Sequence, residues 1–228
     1  MDGNGRWAQR QGKPRSHGHQ AGSDALKRTV ESVMSHGIGH LTVYAFSSEN
    51  WSRPNIEVKQ LLDLFMRALN REVRELNEHG VCIRFIGDRS AFSRPLRDGM
   101  KRAENRTRDN RKLILNVAVN YGGRADIVQA TRQLAQAVER GEISPEDIEE
   151  SMVARNLSLH DGPPPDLLIR TGGEKRLSNF LLWQLAYTEL HFSDVLWPDF
   201  DGEHVEIALH DFASRERRFG GLSKVQSA

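Results

Sequence analysis

Two spacings alternate along the chain. Short runs of apolar and β-branched residues stand at Leu41-Thr42-Val43-Tyr44-Ala45-Phe46, at Val81 to Ile86, at Leu113 to Val119 and at Leu167-Leu168-Ile169. Each is too short for a stable helix and reads as a buried strand. Between them apolar positions recur every three to four residues. One such stretch starts with Ser23 as cap, carries Ala25, Leu26, Val30, Val33 and Met34 on one stripe, and stops at Gly37. A second follows Pro54, a third begins at Ser93 with Pro95 in its first turn, and a fourth runs from about Ala125 to Glu139 ahead of Gly141. Ser144 and Pro145 open a fifth; Phe180 to Leu190 and Val205 to Arg217 predict the last two. Alternation of strand and helix predicts an α/β fold, one domain over residues 1–228, with a mostly parallel central sheet flanked by helices.

The helix after Pro54 is apolar over more than one stripe, with Leu64 and Met66 widening it. A helix of that kind belongs in a core. The sharper reading is a hydrophobic tunnel, since Met and Leu adapt to a flexible guest.

Composition narrows the classes. The 228 residues are 38% hydrophobic and 28% charged, as in ordinary globular proteins, and suffice for one large core. A net charge of +1 gives no global basic field, so no nucleic-acid partner is expected. Cys82 is the lone cysteine, which excludes an intrachain disulfide and a cysteine zinc site and suits a reducing, cytoplasmic compartment. No apolar run approaches the roughly 20 residues of a membrane span, and no signal peptide is visible. Any membrane contact is therefore expected to be peripheral.

In open parallel sheets ligands bind beyond the carboxyl ends of the strands. The residues there are Ser47-Ser48-Glu49-Asn50-Trp51-Ser52-Arg53-Pro54, Gly87-Asp88-Arg89, Asn120-Tyr121-Gly122-Gly123-Arg124 and Arg170-Thr171-Gly172-Gly173-Glu174-Lys175-Arg176-Leu177-Ser178. Asp2-Gly3-Asn4-Gly5-Arg6-Trp7 opens the chain with the same mixture. Glycine lets backbone N–H groups approach an anion, and arginine offers a fork for phosphate oxygens. Any single Gly pair is explained by turn geometry alone; the whole rim together points to phosphate or diphosphate. The common nucleotide signatures, a Walker loop or a Gly-x-Gly-x-x-Gly turn, are absent. A phosphohydrolase would need a positioned base or nucleophile, and none stands out.

These blocks, with Gly18-His19, Arg176-Leu177-Ser178-Asn179-Phe180-Leu181-Leu182-Trp183-Gln184, Tyr187-Thr188-Glu189-Leu190 and Trp197-Pro198-Asp199-Phe200, occur in an order that resembles the cis-prenyltransferase family, and within it the undecaprenyl diphosphate synthases. The resemblance covers nearly the whole chain, to about Gly221. It implies a homodimeric transferase that adds isopentenyl diphosphate to an allylic primer, farnesyl diphosphate, with magnesium as cofactor. The primer's diphosphate would bind Gly3, Asn4, Gly5, Arg6 and Trp7 with Arg15 and His19; isopentenyl diphosphate would bind Arg170, Arg176, Leu177 and Ser178. Ser47, Ser48, Glu49, Trp51 and Arg53 would belong to a closing loop, in which Asn50 is a catalytic candidate. Asp2 and Glu189 would be the magnesium-linked carboxylates, and Leu113 would stand near the far end of the tunnel. Arg218-Phe219-Gly220 resembles a motif that reaches the partner subunit. The non-catalytic partner subunits of some heteromeric relatives are expected to lose the Asp2-type carboxylate and the Arg pair, which this chain keeps.

Two departures accompany the match. The family places an apolar strand ahead of the Asp2 motif, where this sequence has Met1 alone, so an N-terminal strand is expected to be missing. Lys175 stands where a His is often found, and a protonated Lys does not ligate magnesium. Residue by residue, alternatives remain open: His19 as a proton donor or a loop hydrogen-bonder, Trp7 and Trp51 as stacking or packing groups, Glu189 as a solvated edge or a functional carboxylate.

Overall fold

In the computed structural model, which describes residues 1–215, five strands all pair in parallel. Strands β1 (His40–Ser47), β2 (Val81–Ile86) and β3 (Leu113–Tyr121) form one sheet in the order β1-β3-β2; β4 (Leu167–Arg170) and β5 (Glu189–Phe192) form a second. The parallel sheet flanked by helices that the alternation predicts is present, divided into two ladders: no ladder joins β1 to β4 among the described residues, yet the two share their packing. Alternate residues of β3 and β4 point to opposite faces. Leu113, Leu115, Val117, Val119 and Ile169 face one apolar cluster, while Ala118 and Leu168 face the other with Phe180 and Leu181; Tyr121 joins the second because Asn120, at φ 47°, breaks the alternation.

The helices are α1 (Asn4–Arg10), α2 (Arg15–Ser35), α3 (Asn55–Glu78), α4 (Arg94–Thr107), α5 (Gly123–Glu139), α6 (Glu150–Asn156) and α7 (Gly202–Ala213). α4 starts after Ser93 with Pro95 in its first turn, as its sequence predicts. Three expectations are corrected. α1 was not foreseen. α2 begins eight residues before Ser23, because Gly18 and Gly22 serve its contact with α1: a Cβ at either would fall 1.9 Å from Asn4 O or 2.3 Å from Asn4 Oδ1. Tertiary contact overrides the low helix propensity of glycine there. Phe180 to Leu190 forms turns and then β5, because Ser178, Asn179 and Leu181 hold positive φ, which no helix accommodates. Ser144 and Pro145 open a short 3₁₀ turn, Pro145–Asp147, ahead of α6.

α3 is not a buried core helix: only Val58 and Leu69 are fully buried along it. Its half-exposed apolar face, with Leu61, Leu64, Phe65 and Leu76, instead lines a cavity of about 220 Å³ between α2, α3 and the β1-β3-β2 sheet. On α2 the lining runs from His19 to Met34, sixteen residues and about 22 Å of helix. Leu115, Val117 and Val119 form part of its floor. Leu113 lies one step further along the same face, fully buried in the core and outside the lining. No helix among the described residues is long and apolar enough to cross a membrane.

Candidate active site

One end of the cavity is lined by the N-terminal residues Met1 and Asn4 together with Trp197. Asp2 N–H donates to Thr171 Oγ1 at 2.9 Å, the Thr171 hydroxyl is also 2.9 Å from Asp2 O, and Trp197 N–H donates to Asp2 O at 3.0 Å. Thr171, 1% exposed, thus fixes the Asp2 backbone from within the core, immediately after β4. The Asp2 carboxylate faces outward. Its Oδ2 accepts from Arg170 at 3.0 Å and its Oδ1 lies 3.6 Å from the Arg6 guanidinium. Gly172 permits the latter approach, since a Cβ there would sit 2.7 Å from Arg6 Nη2. Burial alone would raise the Asp2 pKa. The hydrogen bond and charge of Arg170, with Arg6, outweigh it and hold the carboxyl below its usual range.

Arg170, only 14% exposed, joins this corner to the next loop. Its other terminal nitrogen donates to Ser178 Oγ at 2.8 Å and to the Arg176 carbonyl. Arg176 is exposed and pairs with Glu174 at 2.5 Å. Leu177 is half-buried against the Phe180 cluster, and Lys175 is exposed. The structure therefore brings Asp2, Arg6, Arg170, Arg176 and Ser178 onto one rim.

A second group of cations flanks the cavity mouth. Arg15 and Arg53 both pair with Glu57, at 3.5 and 3.0 Å. The Arg15 guanidinium lies over Gly5, 3.0 Å from where a Cβ would stand. His19 lines the cavity with Nε2 buried and lacking a protein partner, as is Asn4 Oδ1. Burial, with the charges of Arg53 and Arg15 against that of Glu57, lowers the His19 pKa, so its ring is neutral at pH 7. Glu57 was missed in the sequence, because an acidic residue in the first turn of a helix is ordinary there. Asn4 and His19 present buried polar atoms with no partner beside this cluster, which is where a polar ligand group would be accommodated.

The remaining candidates are placed differently. Ser47 and Asn50 close a capping box on the 3₁₀ turn Ser48–Ser52, in which Asn50 Oδ1 accepts from Ser47 N–H at 3.1 Å. Trp51 packs edge-on to Phe46 and donates its indole N–H to Asn120 at 2.8 Å. Glu49 accepts from Asn179 at 2.7 Å. Trp7 donates to Asp199 at 2.6 Å and stacks with His17. Glu189 is neither unpaired nor beside Asp2: it accepts from Arg215 at 2.8 Å, and it stands opposite Leu167, three residues and about 10 Å of strand from Arg170. Within one chain, then, Asp2 and Glu189 are not brought together. No group of three or more His, Cys, Asp or Glu suited to a metal occurs among the described residues. Arg218-Phe219-Gly220 lies outside them.

An ionised carboxylate of partial exposure is the kind of donor that magnesium takes together with substrate phosphates and waters, so the Asp2 corner fits that ion.

Comparison with known proteins agrees in extent and order. Residues 1–220 match the family model described as "Putative undecaprenyl diphosphate synthase". The chain is 56% identical over its full length to a farnesyl-diphosphate-specific ditrans,polycis-undecaprenyl-diphosphate synthase of Xanthomonas axonopodis pv. citri, of which it covers 88%. It is 54% identical over 97% of its length to the enzyme so named in Escherichia coli, covering 87% of it. The crystal structure of lavandulyl diphosphate synthase from Lavandula x intermedia, in complex with dimethylallyl diphosphate, superposes with a TM-score of 0.93 at 38% identity, over 96% of this chain and 95% of that one.

Proposed function

The chain belongs to the undecaprenyl diphosphate synthase family, and from that premise we propose that it is an active cis-prenyltransferase extending farnesyl diphosphate with isopentenyl diphosphate to undecaprenyl diphosphate, the precursor of the lipid carrier for cell-wall polysaccharide synthesis. The observation that carries this reading is the position of Arg170. It ties Asp2 to the Ser178 loop, so two diphosphate-sized anions have cationic partners side by side at one end of an apolar cavity.

Arg6, Arg15 and His19 hold the allylic diphosphate, and Arg53 completes that cluster from the turn following β1. Arg176 and Ser178 hold isopentenyl diphosphate, with Arg170 between the two. Asp2 would hold magnesium with the allylic diphosphate oxygens; the ion, when bound, supplies charge neutralisation at the departing group. Holding both substrates on one rim aligns the double bond of isopentenyl diphosphate with the allylic carbon. The apolar walls exclude water from the developing cation and receive the lengthening chain, which makes the cavity the tunnel of this reading. A proton then leaves the new unit. Asn50 already uses its carbonyl oxygen on Ser47 N–H, which favours the released diphosphate as acceptor.

A second subunit, a cytoplasmic location and peripheral contact with a membrane for product release belong to the same proposal. The test is incubation with farnesyl diphosphate, labelled isopentenyl diphosphate and magnesium, followed by sizing of the products. A long, predominantly cis polyprenyl ladder that requires a divalent cation is expected. Release of inorganic phosphate without chain growth would overturn the reading.

A further inference from the structure

The turn Ser48–Ser52 and the Arg170–Ser178 rim lie far apart in sequence, yet one side chain joins them. Asn179 directly follows Ser178, whose hydroxyl accepts from Arg170. Its Nδ2 donates to Glu49 Oε1 at 2.7 Å, its Oδ1 accepts from Arg124 N–H at 2.9 Å, and its carbonyl accepts from Gly123 N–H at 2.7 Å. The backbone is held in an unfavourable region to do so: φ is 51° at Ser178, 62° at Asn179 and 42° at Leu181. Such runs of strain persist where the surroundings over-determine them, and they cluster at functional sites. The neighbouring loop leaves room for nothing larger. A Cβ at Gly122 would fall 2.6 Å from Ser48 Oγ and 2.7 Å from Asn179 Nδ2. On the far side of the turn, Trp51 is tied to Asn120.

We propose that Asn179 is a positioning residue that couples diphosphate capture by Arg176 and Ser178 to closure of the Ser48–Ser52 turn through Glu49. This rests on the prenyltransferase reading above. An anion on Ser178 orders the strained segment, and the ordered segment presents the Asn179 amide to Glu49. The turn that carries Asn50 and Trp51 and leads into Arg53 then settles over the allylic substrate. Glu49 is suited to the part: burial would raise its pKa, but the Asn179 hydrogen bond, with others from its own backbone, Ser47 and Ser48, keeps the carboxyl ionised and accepting.

Asn179→Asp tests this directly. Asp adopts the same left-handed backbone, keeps the acceptor for Arg124 N–H, and turns a carboxylate on Glu49. Adding Glu49→Gln restores a donor–acceptor pair with reversed polarity. The N179D variant is expected to raise the KM for isopentenyl diphosphate about tenfold and to lower kcat, from loss of one charge-assisted hydrogen bond. The N179D/E49Q pair should recover most of that loss, with every rate measured well below the variant's melting temperature. Wild-type kinetics in N179D, or a double variant no better than N179D, would overturn the coupling. If the unaltered protein adds no isopentenyl diphosphate at all, the functional reading fails on its own. The coupling is then read from amide exchange of residues 48–52 with inorganic diphosphate as probe. Diphosphate should slow exchange in the unaltered and double-variant proteins but not in N179D; equal behaviour in all three would refute it.

Discussion

Replacing Thr171 with Val separates the placement of Asp2 from its chemistry. Thr171 is buried and touches no expected substrate, but its hydroxyl is the partner of Asp2 N–H and a second contact to Asp2 O. Val keeps the shape and removes the hydroxyl. Asp2 O retains Trp197 N–H, so one part-buried donor, Asp2 N–H, is left without an acceptor. That costs about 1–3 kcal/mol. For a protein of this size each kcal/mol moves the melting temperature by roughly 2–4 °C, so a fall of about 2–12 °C is expected. Thr171→Ser is the control. It keeps both contacts and loses one buried methyl, about 0.8 kcal/mol or somewhat more. The two variants therefore overlap in stability but differ in what holds Asp2. Turnover with farnesyl and isopentenyl diphosphates, measured well below both melting points, should fall about tenfold or more in T171V and stay near wild type in T171S. Equal turnover in the two variants would refute the argument that this hydroxyl sets the carboxylate.

Three further outcomes are expected. Asp2→Asn keeps size and polarity but removes the charge that Arg170 and Arg6 stabilise; turnover across a magnesium titration should collapse nearly as far as in Asp2→Ala, with thermal melts as the folding control. Leu113→Ala opens space beyond Leu115 at a fully buried position, so about 2–5 kcal/mol of stability should be lost while the product ladder lengthens and the first condensation is spared; an unaltered ladder would place the stop elsewhere. His19 has a folded pKa below its ordinary 6.5, so between that folded value and 6.5 the unfolded chain binds more protons. Stability should rise with pH across that window, and the rise, read from melts between pH 5 and 7.5, should be shallower in His19→Gln.

Strands β1 to β4 were legible because their signal is local. Val81–Ile86 is bounded by its own apolar run, and the α4 cap at Ser93 sits where the Ser-x-Pro pattern puts it. What failed depends on contacts distant in sequence. Gly18 and Gly22 argue against a helix until Asn4 is seen packed on them. Phe180, Leu181 and Leu185 have helical spacing, but they bury against Ala118 and Tyr121 from a turn whose positive φ values no periodicity reveals. The four residues of β5 are too few to display alternation. In the site, the Gly- and Arg-rich loops were legible as one rim, and Asp2, Arg170 and Ser178 do meet. The supporting groups were not. Thr171, Glu57, Asn120 and Asn179 are ordinary loop or helix residues until their partners are known. Glu189 looked like an isolated carboxylate because Arg215, 26 positions later, could not be assigned to it.

The anchoring of Asp2 also has a consequence in time. Its backbone is fixed by Thr171, 169 positions later, and by Trp197, and the adjoining helix α1 is pinned by Asp199 through Trp7, 192 positions away. On a ribosome adding roughly 5–20 residues each second, Asp2 waits roughly 8–34 s before Thr171 even exists. During that interval α1 has neither Thr171 nor Asp199 to hold it, and the carboxylate has no Arg170. A nascent or truncated chain that ends before Thr171 has every residue of the three-stranded β1-β3-β2 sheet but not the Asp2–Thr171–Arg170 corner. The Asp2 corner is thus completed late in synthesis, once Arg170, Thr171 and Trp197 have been made.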